Sequence, residues 1–202
     1  MAEHYYTQRP ISAHSEAHIE AEALGVRCAF ATDAGVFAKG SLDYGSRLLL
    51  ETLPPLSGRV LDLGCGWGAI GIFLAKAFPE LCVLQSDINE RAVSLTQKNI
   101  LLNKLTNASA VQSDGFCHIH DMFDAIVCNP PIRAGKAVIY GLFDAARAHL
   151  YPAGALYLVI RKQHGAESAL KHLREGYAGA EVIEKGKGFW ILKATMRGGD
   201  GA

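Results

Sequence analysis

The tripeptide Asn129-Pro130-Pro131, with Ile132 after it, is the part of the sequence whose residue types point most directly to a reaction. Two consecutive residues each precede a proline, which favours extended backbone and makes the loop stiff. Pro130 has no N–H beside its carbonyl, and the Asn129 side chain adds a second carbonyl oxygen. Two fixed acceptors fit the two hydrogens of a planar exocyclic NH2 group, which they would orient for attack on a methyl donor. The alternative is a rigid loop that only ends a strand.

A second motif, DLGCGWG at residues 62–68, is typical of a nucleotide-binding loop. Its glycines allow a tight turn and a close approach to a ligand, and the following helix offers unpaired N–H groups. Because Gly66-x-Gly68-x-x-Gly71 also matches the dinucleotide fingerprint, an NAD-type oxidoreductase or a non-catalytic nucleotide-binding module stays an alternative. Asp62, two positions before the first glycine, favours a ligand that carries an ammonium group and no pyrophosphate.

Two further acids follow the next two predicted strands. Asp87 could accept hydrogen bonds from both hydroxyls of a ribose, and Asp114 from an adenine amino group. Alternatively, Asp87 only caps a helix and Asp114 is a turn residue. Three acids after three successive strands meet at one edge of a parallel sheet, where ligands of such folds bind. Together they favour a charged nucleoside ligand.

The hydrophobic pattern predicts the elements that position these motifs. Strands are expected at 60–63, 81–85, 108–112, 123–128, 155–160, 180–184 and 189–194, and helices at 46–53, 69–78, 89–102, 135–150 and 163–175. This alternation predicts a mostly parallel α/β sheet of Rossmann-like type with helices on both faces. The last two strands are joined by four residues, too few for a parallel crossover, so they must be antiparallel. Residues 1–45 are interpreted as an extension packed on a domain at 46–195, with a hairpin between 28–31 and 36–37, and residues 196–202 as a disordered tail.

Composition narrows the class of protein. The chain has 202 residues, of which 50% are hydrophobic and 20% charged, as in one soluble globular domain. No apolar run is long enough for a membrane span, no secretion signal is recognisable, and five scattered cysteines fit reduced thiols in the cytoplasm. The pairs His118/His120 and His14/His18 lack a third ligand, so no metal site is predicted. From residue 133 onward there are 11 Lys or Arg and 6 Asp or Glu, which is either a phosphate-binding surface or a chance imbalance.

These motifs resemble the class I S-adenosylmethionine-dependent methyltransferases that act on amino nitrogens. Residues 35–49, GVFAKGSLDYGSRLL, look like the segment before the glycine loop in bacterial 16S ribosomal RNA guanine-N2 methyltransferases, the RsmC-like or "methyltransferase small domain" group. The resemblance runs from about residue 4 to residue 194. It implies a seven-stranded sheet whose last strand is antiparallel, and ribosomal RNA or the small ribosomal subunit as partner. The Asn-Pro-Pro motif alone is shared with adenine-N6 and protein-glutamine methylases, which stay alternatives.

The resemblance also implies roles for individual residues. Many members of the family follow Asn-Pro-Pro with an aromatic residue that stacks on the target base, whereas this sequence has Ile132, so Arg133 and Lys136 are predicted to hold RNA phosphates instead. The predicted catalytic residues are Asn129, Pro130, Pro131 and Ile132. The predicted cofactor site, for S-adenosylmethionine or its product S-adenosylhomocysteine, comprises Phe37, Lys39, Gly40, Asp43, Asp62, Gly64, Cys65, Gly66, Asp87, Ile88, Asp114, Gly115 and Asn129.

Overall fold

The computed structural model describes residues 15–33, 36 and 40–197. The predicted Phe37 and Lys39 therefore lie outside the described residues. The strands in chain order are β1 (Ala17–Ala23), β2 (Val26–Thr32), β3 (Arg59–Leu63), β4 (Cys82–Asp87), β5 (Ala108–Gln112), β6 (Phe123–Cys128), β7 (Leu150–Arg161), β8 (Gly179–Gly186) and β9 (Phe189–Thr195). The helices are α1 (Tyr44–Thr52), α2 (Ala69–Ala77), α3 (Glu90–Leu102), α4 (Lys136–Ala146) and α5 (Ala166–Gly176).

Seven of the strands form one sheet in the order β5-β4-β3-β6-β7-β9-β8. Neighbours from β5 to β7 are parallel, and β9 runs antiparallel to both β7 and β8. Two separate apolar clusters cover the sheet, one holding residues of α1, α2 and α3 and the other residues of α4 and α5. The predicted Rossmann-like sheet with an antiparallel last strand and helices on both faces is confirmed.

Most element boundaries agree with the predicted ones, and β5 and β6 are identical to them. The largest error lies between α4 and β7. The predicted helix at 135–150 ends instead at Ala146, and a short 3-10 turn at Arg147–His149 leads into a strand that starts at Leu150. The strand starts earlier than predicted because Leu150 pairs with Phe123 before an irregularity in the register. Pro152 and Gly154 are rare inside strands, so the sequence pattern did not indicate this extension.

The amino-terminal hairpin is also different from the prediction. Residues 28–31 pair with the preceding strand, since β2 is antiparallel to β1. Val36 lies in a bend, and residue 37 is outside the described part. The turn falls at Leu24 and Gly25, which both have positive φ (53° and 73°). The reason is visible in β1, where exposed and partly buried residues alternate as in a half-covered strand.

Two asparagines of α3 hold this hairpin against the domain. Asn99 accepts from the Ala31 N–H (2.6 Å) and donates to the Ala31 carbonyl (2.9 Å), and Asn103 makes the same pair of bonds with Ala29 (3.1 and 2.7 Å). These amides occupy the edge of β2 that faces away from β1, as a further strand would. Asn99 also donates to the Trp67 carbonyl (2.8 Å), so the hairpin is connected to the glycine loop.

Both boundaries of the predicted domain, at residues 45 and 195, lie within or next to ordered structure. Because α1 begins at Tyr44, the proposed division at residue 45 falls within a helix. Met196, in the segment predicted to be a disordered tail, donates its N–H to the Gly154 carbonyl (2.9 Å), while residues 198–202 are outside the described part. Among the helices that the structure describes, none is both long and apolar enough to span a membrane.

Candidate active site

A cavity of about 710 Å³ opens at the carboxyl edge of the parallel strands. This is where ligands bind in open α/β sheets. It brings together most of the residues singled out from the sequence: Asp43, Gly64, Cys65, Gly66, Asp87, Ile88, Asp114, Gly115, Asn129, Pro130, Pro131, Ile132 and Arg133.

The glycine loop forms the floor of this cavity between β3 and α2. Gly64 and Gly66 have φ values of 77° and 58°, which only glycine adopts without strain. The N–H groups of Gly64 and Cys65 donate to the Ser86 carbonyl (2.8 and 2.9 Å), which fixes the loop against β4. A Cβ at Gly64 would meet no atom within 4 Å, so the backbone there faces open space.

Asp87, the last residue of β4, stands beside this loop. Its carboxylate accepts from the Gly66 N–H (2.9 Å) through one oxygen and from the Asn89 N–H (2.9 Å) through the other. Burial raises the pKa of Asp87, and its backbone hydrogen bonds partly offset that effect. A carboxylate oxygen has two lone pairs, so the Asp87 carboxylate can also accept from a ligand hydroxyl. The alternative that Asp87 only caps α3 does not hold, because Asn89 is the capping residue of that helix.

Asp114 and Ser86 lie near Asp87, at the ends of β5 and β4. Asp114 is exposed at the rim, just beyond β5. Ser86 is buried beneath, and within the described residues its hydroxyl has no hydrogen-bond partner. The hydroxyl oxygen is shielded from solvent, so it is not among the groups that the cavity presents to a ligand.

Asp62 does not line the cavity, in contrast to the other predicted acids. It is buried, and one carboxylate oxygen accepts from the Gly71 N–H in α2 (2.9 Å). The other oxygen has no partner among the residues described. Burial raises the pKa of Asp62 to about 7, the Gly71 bond lowers it, and nearby Asp87 raises it further. In this geometry Asp62 holds α2 against β3, and a direct contact with the ligand's ammonium group stays a prediction.

Asn129 is oriented by a residue that sequence reasoning missed. Its Nδ2 donates to the Ser46 hydroxyl (3.0 Å), which leaves the Asn129 Oδ1 as the acceptor available to a substrate. Ser46 sits in the first turn of α1, and its own N–H donates to Asp43 (3.1 Å), the N-cap residue of that helix. Asp43 thus acts by capping α1, and through Ser46 it positions Asn129.

The rest of the Asn-Pro-Pro loop turns directly into a short 3-10 helix at Ile132–Ala134. Pro130 is buried, and the Pro131 carbonyl accepts from the Ala134 N–H (2.8 Å). Ile132 is half-buried at the wall, and Arg133 is exposed at the mouth. The loop is therefore part of the cavity and not merely the end of a strand.

Two predicted residues lie away from the cavity. Gly40 lines a separate open depression beside Arg47 and Glu51, and its position over the cofactor stays a prediction. Lys136, predicted to bind RNA phosphate, is the exposed first residue of α4 and is not in the cavity wall. Its contact with an RNA phosphate outside the cavity stays a prediction.

Several lining residues were not predicted from the sequence. Tyr44 and Ser46 lie in the segment 35–49 that carried the family resemblance but were not assigned a role, whereas Arg161, His164 and Phe189 had no local signal. Phe189 reaches the site because β9 is antiparallel, so its beginning lies at the edge where the parallel strands end. The predicted antiparallel hairpin was the signal that could have found it. Within the described residues, no group of three or more His, Cys, Asp or Glu side chains could hold a metal ion.

The mostly parallel sheet with an antiparallel β9, the glycine loop after β3 and the Asn-Pro-Pro loop after β6 together define a class I methyltransferase. A family model described as "Methyltransferase small domain" matches residues 27–193, and the chain belongs to this family.

Individual relatives agree with this assignment. The chain is 39% identical to the uncharacterized protein YbxB of Bacillus subtilis (strain 168), across 96% of this chain and 98% of that protein. It is 37% identical to ribosomal RNA small subunit methyltransferase C of Vibrio parahaemolyticus, across 79% of this chain and 47% of that enzyme. The structure of the T. thermophilus 16S rRNA N2 G1207 methyltransferase (RsmC) in complex with AdoMet and guanosine matches with a TM-score of 0.81 and 29% identity, covering 93% of this chain and 52% of that chain. The chain thus spans about half the length of these two named enzymes.

Proposed function

We propose that this protein transfers a methyl group from S-adenosylmethionine to the exocyclic N2 of a guanine in small-subunit ribosomal RNA. The observation that carries the proposal is the fixed Asn129 amide: Asn129 lines a cavity shared with the glycine loop, and Ser46 holds its Nδ2 (3.0 Å), so its Oδ1 is the acceptor left for a substrate. The methyltransferase C enzymes and the guanosine complex among the similar proteins support guanine in ribosomal RNA as the target.

The part of the cavity at the ends of β3, β4 and β5, here called the cofactor half, fits S-adenosylmethionine. Gly64 offers a surface without a side chain, and Asp87 and Asp114 offer carboxylates to hydroxyl and amino groups. When bound, this cofactor supplies an electrophilic methyl group on a sulfonium centre.

On the substrate side the protein's contribution is positioning. The Asn129 Oδ1 and the Pro130 carbonyl would accept the two hydrogens of the guanine NH2, which directs the nitrogen lone pair out of the ring plane. The surrounding wall of Pro130, Pro131 and Ile132 excludes water from the reacting atoms. Arg133 lies at the mouth, where a charged side chain suits a phosphate. Because ribosomal RNA of bacteria is in the cytoplasm, this target implies that the protein acts in the cytoplasm.

Radiolabelled methyl transfer tests the substrate. Purified protein is incubated with labelled S-adenosylmethionine and, in parallel, with small ribosomal subunits, naked 16S rRNA, DNA and a glutamine-containing release factor. We expect label in RNA, and digestion to nucleosides should identify N2-methylguanosine. Label in protein or DNA alone would contradict the proposal and select one of the alternative methylases. Calorimetric binding of NAD(H) without binding of S-adenosylhomocysteine would contradict the methyltransferase assignment itself.

A further inference from the structure

Phe189 on β9 and Arg161 on β7 form a pair in the cavity wall, on strands separate from the Asn-Pro-Pro loop. They are directly opposite in the antiparallel register of β9 and β7, and both line the cavity. The Arg161 guanidinium carbon lies 4.5 Å from the centre of the Phe189 ring. A guanidinium over an aromatic face is an attractive contact, and the two planes together make a surface on which a flat ring can stack.

The Phe189 ring is held firmly by its surroundings. A Cβ at Gly45 would lie 2.9 Å from the Phe189 Cε1, so the ring packs directly on the start of α1. The Tyr44 ring is 5.7 Å away at an angle of 47°. Because its neighbours fix the ring before any ligand arrives, stacking on it would lose little conformational entropy.

The strand order places this pair on the substrate side. Along the carboxyl edge, the ends of β5, β4 and β3 supply Asp114, Asp87 and the glycine loop, and the end of β6 supplies Asn129. Beyond Asn129 the edge continues with Arg161 on β7 and then Phe189 on β9. Neighbouring strands are about 4.8 Å apart, so two spacings, roughly 10 Å, separate Asn129 from Phe189. A purine ring whose amino group meets Asn129 can extend toward Phe189 across that gap.

The charge around the pair suits a nucleic acid. Arg161 and Lys187 are exposed, and in the described part of the chain neither forms a salt bridge with a carboxylate. The Lys187 ammonium lies 4.7 Å from the centre of the Tyr44 ring, beside Phe189. Alternating aromatic rings and cations of this kind are how proteins bind unpaired nucleotides, with stacking on the base and cations on the flanking phosphates.

We propose that Phe189, backed by Arg161, stacks on the target base and supplies the aromatic face that Ile132 does not offer. The inference rests on the proposed function, because it requires a nucleobase substrate. It also specifies the form of that substrate: the base must be unpaired or flipped out of its helix to lie between Asn129 and Phe189. Phe189 would then be a substrate-binding residue on an element distant in sequence from the Asn-Pro-Pro loop.

The test compares aromatic and aliphatic side chains at one position. Steady-state kinetics are measured on the RNA substrate that the wild-type protein methylates, for Phe189→Leu and Phe189→Tyr. Loss of one stacking contact predicts a decrease of about tenfold to hundredfold in kcat/KM for Phe189→Leu. Phe189→Tyr should retain kcat/KM within about threefold, because the aromatic face is kept. Affinity for S-adenosylhomocysteine and the thermal midpoint are measured on every variant.

Trp190→Leu is the matched control. Trp190 is the next residue of β9, on the opposite face of the sheet, where it packs in the cluster of α4 and α5 and under Lys185. This change has the same chemistry on the same strand but should leave kcat/KM for RNA within about threefold of wild type. If Phe189→Leu and Trp190→Leu reduce kcat/KM equally, or if Phe189→Tyr is as impaired as Phe189→Leu, the stacking role is wrong. If the wild-type protein itself methylates only protein or DNA, the proposed function fails instead.

Discussion

The cavity has two halves that are built in different ways. The cofactor half, at the ends of β3, β4 and β5, consists of backbone N–H groups and acids and is contributed by strand-turn-helix units. The substrate half, at Asn129 and the adjoining ends of β7 and β9, consists of side chains on α1, β6, β7 and β9 and is rich in aromatic and basic groups. Under the proposed function, binding of the methyl donor would depend on local loop geometry, whereas the choice of acceptor would depend on segments that are distant in sequence. Variants in the two halves should therefore fail in different ways.

The largest effect is expected from Asn129→Ala in the substrate half. Removing the Oδ1 acceptor leaves the amino group unaligned, and a loss of about 10²- to 10³-fold in kcat is expected from the size of comparable positioning effects. Affinity for S-adenosylhomocysteine should stay within about threefold, as measured by calorimetry. Near-normal turnover would contradict the role assigned to this loop. Loss of S-adenosylhomocysteine binding would show that Asn129 also belongs to the cofactor site, so that the two halves are not separate.

Asp87→Ala is the matching change in the cofactor half. The carboxylate both receives the Gly66 N–H (2.9 Å) and would accept ligand hydroxyls, so a decrease of about tenfold to hundredfold in affinity for S-adenosylhomocysteine is expected. Asp114→Ala, at the exposed rim, serves as the control and should weaken binding less. Unchanged affinity in Asp87→Ala would show that the acid only shapes the loop.

Ser46→Ala tests how the substrate half is held together. The Asn129 Nδ2 loses its partner and its Oδ1 is no longer fixed, so a decrease of about tenfold in kcat is expected with unchanged cofactor affinity. The matched control is Ser94→Ala, which removes an exposed hydroxyl that bonds only to the Glu90 carbonyl of α3. Equal kinetics for both serine variants would mean that Asn129 is aligned without Ser46.

Asp62→Asn tests the buried acid beneath the glycine loop, with stability as the readout. Because the pKa of Asp62 is raised to about 7 from an ordinary value near 3.8, the folded state keeps a proton that the unfolded state has lost between those values. The free energy of unfolding contributed by this group therefore falls as pH rises toward 7, by up to about 1.4 kcal/mol per pH unit, and is level above it.

Urea unfolding of the ligand-free protein between pH 5 and 8 provides the measurement. The wild-type protein should lose stability relative to Asp62→Asn by about 2 kcal/mol between pH 5 and 7, since asparagine has no proton to release. A difference between the two proteins that does not change with pH would mean that Asp62 is charged in the folded state throughout this range.

The sequence by itself determined the fold class and most of the cofactor half. Three features can be recognised in a short stretch of sequence without knowing the fold. They are the hydrophobic periods of strands and helices, the length of the connection between two strands, and the glycine loop at 62–68. The same is true of Asn129-Pro130-Pro131, because two prolines restrict the backbone wherever they occur. Asp62 was located correctly in β3, but its direction toward Gly71 depends on how α2 packs.

Only the tertiary structure decided how Asn129 is held, which distant residues complete the substrate half, and how the amino-terminal hairpin docks. Ser46 and Asn129 are 83 positions apart in the chain, and Asn99 and Ala31 are 68 apart, so no local pattern relates them. Phe189 reaches the cavity only because β9 lies antiparallel between β7 and β8. The physical reason is that side-chain hydrogen bonds and ring contacts between distant segments depend on strand order and register, and these are set by burial of the whole sheet rather than by any one stretch of residues.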